Sequence, residues 1–156
     1  MKKYWFLAVL LPIALVINEN IIHWALAITV GNRSMADGFS DAFRHFSFWG
    51  YFFFTAFRLV PYVGLAISLV ALSRSKYSDY VPVVLTGGLT GILYVIISGS
   101  WSALHPYYTD QQPSSTTALS FLFIPIIAIF SGAFGSALLA VLYMSFRRTK
   151  NKEHSE

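Results

Sequence analysis

The stretch TALSFLFIPIIAIFSGAFGSALLAVLYMSF, from Thr117 to Phe146, runs for 30 residues without a charge and is followed at once by Arg147 and Arg148. As a helix rising about 1.5 Å per residue it exceeds the roughly 30 Å of bilayer hydrocarbon. Upstream, Val81–Ala103 is a second uncharged run. Phe46–Leu72 is a third, with Arg58 and Pro61 inside it, and Tyr4–Val30 a fourth, carrying Asn18, Glu19, Asn20 and His23. None alternates with the period of a membrane barrel strand. The pattern predicts an all-α membrane protein, a four-transmembrane-helix bundle with helices at about 4–30, 46–72, 81–103 and 117–146 and a basic tail at 147–156.

Composition agrees. The 156 residues are 56% hydrophobic, 17% aromatic and only 12% charged, whereas a soluble domain is roughly a quarter charged. Too little polar surface remains to cover a soluble globule, which excludes a soluble enzyme and a disordered chain. The absence of cysteine excludes disulfides and thiolate metal sites.

The charges predict an orientation. Lys2, Lys3, Arg74, Lys76, Arg147, Arg148, Lys150 and Lys152 flank one side of the four runs, and only Arg33 and Arg44 flank the other. The positive-inside bias then sets both termini in the cytoplasm of a bacterial-type inner membrane. Beside a membrane exit the tail from Arg147 to Lys152 reads as a lipid-touching flank, with no nucleic acid as partner. Lys2 and Lys3 before an apolar run also resemble a signal peptide, although Ala25-Leu26-Ala27 lies far from its expected cleavage site. Asn32-Arg33-Ser34 is a formal glycosylation sequon.

Small residues predict helix packing. Gly87 and Gly91 in the third run, and Ala128, Gly132, Ser136 and Ala140 in the fourth, recur every fourth residue and suit an antiparallel pair in close contact. Pro12, Pro61 and Pro125 are expected to bend their helices. The segment from Gly31 to His45, alternating aromatic and polar residues, suggests a short helix lying on the outer surface.

Ionisable residues inside apolar runs mark candidate sites, because burying them is costly. Counted along the helices, Glu19 and Arg58 fall at nearby depths, which suits an ion pair inside the bundle. Thr90 and Tyr94, from the line Thr86, Thr90, Tyr94, Ser98 and Ser102, fall at the same depths and are expected to extend that pair into a network. His23, four residues after Glu19, shares its face. His23, His45 and His105 all fall near the outer surface, a weak pattern for a metal or haem.

No G-x-S-x-G, Walker or H-E-x-x-H motif is present, and no cofactor is implied. Nor does an inverted repeat of the transporter kind emerge. The primary expectation is a non-enzymatic accessory or interaction protein, comparable to immunity or assembly factors, with the lipid bilayer and a protein partner or a second copy as its contacts. A subunit of a small oligomeric transporter or channel using Glu19 and Arg58 is the alternative, and a metal or haem redox protein a lesser one.

Overall fold

The computed structural model describes residues 4–44, 47–109 and 117–153, and among these it contains no strand. Six α-helices follow one another: α1 (Leu7–Val16), α2 (Glu19–Thr29), α3 (Met35–Phe43), α4 (Phe48–Ser73), α5 (Val81–Leu104) and α6 (Thr117–Glu153). Short 3-10 turns, Ser78–Tyr80 and His105–Tyr108, flank α5. Segments based on α4, α5 and α6 are each long and apolar enough to cross a membrane, and α1 with α2 makes a fourth only if the bent pair counts as one.

The first apolar run is not one straight helix. It breaks between α1 and α2 with a bend of 55°. Ile17 and Asn18 both adopt extended backbone there. The break falls beyond Pro12, which α1 carries without interruption, as α4 carries Pro61 and α6 carries Pro125. Asn18 explains its position. Its side-chain oxygen accepts from the Ile21 N–H at 3.0 Å, and its amide donates to the Leu15 carbonyl at 3.2 Å. One buried side chain thus caps the start of α2 and satisfies the end of α1.

The long helices run antiparallel in sequence order. At one end Arg74 donates to the Tyr4 hydroxyl at 3.2 Å, Arg147 lies 3.8 Å from Asp79, and the Tyr80 and Tyr143 rings meet edge to face. At the opposite end the His23 and Tyr108 rings pack together and Arg33 pairs with Asp41. Arg74 and Arg147 thus share an end, opposite Arg33. Helix α6 continues through Glu153, into the segment expected as a tail, because no glycine or proline follows Phe146 to stop it.

The tightest pairing joins α5 and α6. A Cβ at Gly87 would overlap the Gly135 backbone, and one at Gly91 would overlap the Ser131 carbonyl. Gly132 packs on Ile92, and the Ser136 hydroxyl donates across to the Val84 carbonyl at 3.0 Å. Glycine is required on both sides because backbone meets backbone. Around this seam Phe6, Leu10 and Ala14 pack with Tyr62, Leu65, Leu69, Leu85, Leu89, Ile92, Ile96 and Ala128 in one core. A smaller cluster of Ile22, Leu26 and Leu104 sits toward the opposite end.

Helix α3 folds back on α2. Gly38 lies against Ala27 and Trp24, the Trp24 ring meets Phe39 edge to face, and its Nε1–H donates to the Met35 carbonyl at 3.0 Å. The Ser34 hydroxyl caps α3 by accepting from the Asp37 N–H. The reversal before it passes through Asn32, at φ 50°, a left-handed conformation that asparagine tolerates better than most residues.

Candidate functional site

The break between α1 and α2 places Glu19 at the first position of α2, where helix N-termini favour negative charge. From α4, Arg58 reaches across: its Nη1 donates to Glu19 Oε2 at 2.5 Å. Its Nη2 donates to the Thr55 hydroxyl, one turn earlier on the same helix, at 3.2 Å. The Arg58 side chain is 5% exposed and that of Glu19 23%. A guanidinium this deeply buried needs its counter-charge, and Glu19 is the carboxylate that supplies it.

The pair borders a cavity of about 230 Å³. Asn20 and His23 of α2 and Ser100 of α5 add polar groups to its lining. Phe54 of α4, Ile96 and Leu104 of α5, and Phe121, Ile124 and Pro125 of α6 supply the apolar walls. Every long segment of the fold therefore contributes to one site. A small apolar chamber with a few convergent polar groups is the usual form of a ligand site.

The expected network with Thr90 and Tyr94 does not form. Thr90 is exposed and Tyr94 is 71% exposed, on the face of α5 turned away from the pair. The inward face of α5 is instead the row Ile92, Ile96 and Ser100, beside the glycines that pack on α6. The glycine seam sets the rotation of α5, and that rotation carries the polar line outward. Thr86 and Ser98 on that line donate to the carbonyls of Pro82 and Tyr94, so these hydroxyls are satisfied within their own helix.

Thr55, Asn20 and Ser100 are site residues that sequence reasoning overlooked. Only Thr55 carries a local signal, lying three residues before Arg58 on the same helix face. Of the three histidines considered as metal or haem ligands, His23 lines the cavity with its ring against Tyr108, at 5.5 Å between centroids. His105 begins the 3-10 turn after α5, and His45 lies outside the described residues. Among the described residues no three metal-ligating side chains converge.

Comparison with protein-family models, with curated proteins and with solved structures gives no match.

Proposed function

We propose that the chain is a multi-pass membrane protein of four spans with both termini cytoplasmic, in a bacterial-type inner membrane. In this reading it serves as an accessory or interaction protein that engages a membrane or periplasmic partner without carrying out a reaction. The observation that carries the reading is the uncovered apolar flank of α4 and α6. Phe52, Phe53 and Val63 on α4, and Phe123, Phe130 and Phe134 on α6, are all more than half exposed. Such a surface is stable only against lipid or another protein. The mid-span charges, Glu19 and Arg58, are occupied with each other.

The glycine rows of α5 and α6 are used within the chain, against each other. A partner helix has the α4–α6 side instead. A groove of about 490 Å³ there is lined by small residues that include Gly64, Ser68, Ala133, Ala137 and Ala140, and a Cβ at Gly64 would meet nothing. Small residues with open space allow close helix approach.

Two measurements test the reading. The chain lacks cysteine, so single cysteines report topology directly. A membrane-impermeant maleimide is expected to label Met35→Cys in intact cells and Ser75→Cys only after permeabilisation; the reverse pattern overturns the orientation. Affinity purification in mild detergent is expected to recover a stoichiometric protein partner, and recovery of lipid alone overturns the interaction role.

A second reading, a subunit of an oligomeric transporter, is favoured by one feature: a broken span with a cavity at its break, as transporters place their sites. A strictly monomeric particle in detergent overturns that reading.

A further inference from the structure

The cavity beside Glu19 and Arg58 follows from the bend at Ile17–Asn18. Helix α1 packs on α4, whereas α2, turned by 55°, packs chiefly on α3 and α5. The two halves of the first apolar run diverge, and a wedge bordered by α2, α4, α5 and α6 lies beside the break. The Arg58–Glu19 contact spans that wedge.

We propose that the wedge is a binding site for a small, electrically neutral amphiphile, a single ring or short chain with one hydrogen-bonding head. Its volume of about 230 Å³ sets the size. That lies between the roughly 150 Å³ that accepts benzene in an engineered core and the roughly 300 Å³ at which drug-sized pockets begin. Phe54, Ile96, Phe121 and Ile124 make the walls apolar.

The charge argument selects the head. Arg58 and Glu19 cancel, so the pair presents an oriented dipole and no net charge to the chamber. A charged guest would bring a third, uncompensated charge into surroundings of low dielectric. A hydroxyl or amide head instead meets the Glu19 carboxylate as acceptor and the Asn20 amide as donor, both on the cavity wall. Access is lateral: Phe54 and Phe121, partly exposed, meet edge to face at 6.4 Å at the rim between α4 and α6. A guest dissolved in the bilayer enters there, so the inference rests on the membrane reading above.

The test uses the full chain in phospholipid nanodiscs and two photoreactive probes of equal shape, a trifluoromethyl-diazirinyl benzyl alcohol and the matching benzoate. The neutral alcohol is expected to crosslink to the peptides bearing Phe54 and Phe121, with labelling suppressed by excess benzyl alcohol. The benzoate is expected to label these positions at least about tenfold less. Ser100→Leu, which fills the chamber, is expected to abolish the labelling, whereas Ile67→Phe, at an exposed position of α4 outside it, leaves it unchanged. Labelling spread evenly along the lipid-facing helices, or equal labelling by the two probes on the unmodified chain, overturns the proposal whether or not the Ser100 variant folds. A chain that does not enter nanodiscs overturns the membrane reading itself, and this inference with it.

Discussion

Arg58 and Glu19, 39 residues apart in sequence, are joined by a direct contact from a long, continuous helix to the first residue after a helix break. The contact fastens the bend to α4, and the space beneath it is the candidate site. Removing either partner therefore disturbs both the stability of the fold and the shape of the cavity.

Glu19→Ala or Arg58→Ala alone is expected to destabilise the bundle by about 3–5 kcal/mol, since each leaves a lone charge in an apolar setting. The paired change Glu19→Leu with Arg58→Leu is expected to recover most of that loss. Denaturant unfolding of the purified variants in mixed micelles checks both, and a double variant as unstable as the singles would refute an ion pair whose main role is mutual neutralisation.

Gly87→Ala and Gly64→Ala make an internal comparison on one chain. The first inserts a Cβ into the Gly135 backbone and is expected to cost about 2 kcal/mol or more. The second meets no neighbour and is expected to stabilise by up to about 1 kcal/mol through helix propensity alone. Thermal unfolding in detergent distinguishes them, and equal effects would argue against the backbone contact of α5 with α6.

Tyr62 is buried at 3% exposure, and among the described residues its hydroxyl has no hydrogen-bond partner. Tyr62→Phe removes an unsatisfied polar atom while keeping the ring, so it is expected to be neutral or to stabilise by up to about 1 kcal/mol. A loss greater than about 1 kcal/mol would mean that the hydroxyl has an undetected partner, such as a buried water.

Asn18 caps α2 and closes α1 in one stroke, so Asn18→Ala is expected to cost about 1 kcal/mol and to loosen the hinge. Spin labels on cysteines introduced at Leu11 and Thr29 measure this directly. Their distance distribution is expected to broaden in Asn18→Ala, and an unchanged distribution would show that packing alone holds the bend.

The helices were legible in advance to within a few residues at most ends. Phe46–Leu72 was expected and Phe48–Ser73 is found; Val81–Ala103 was expected and Val81–Leu104 is found. The longest discrepancy is at the end of α6, where charged residues continue the helix because they form helices readily. Proline did not mark the break: three helices run through theirs, and the break comes at Asn18, a residue whose side chain competes for backbone groups. Depth along a helix brought Glu19 and Arg58 to the same level, yet the same measure brought Thr90 and Tyr94 there and they face outward.

That contrast separates two kinds of information. Uncharged length, the clustering of basic residues at alternate ends and the spacing of small residues are properties of single segments, and the amino-acid sequence determined them alone. The direction in which each segment turns is not a property of that segment. The rotation of α5 is set by glycines meeting the backbone of α6, and the course of α2 by a bend that one asparagine makes possible. Both depend on contacts between residues distant in sequence, so the tertiary structure alone decided that Ser100 and Phe121 line one cavity with Arg58 and Glu19.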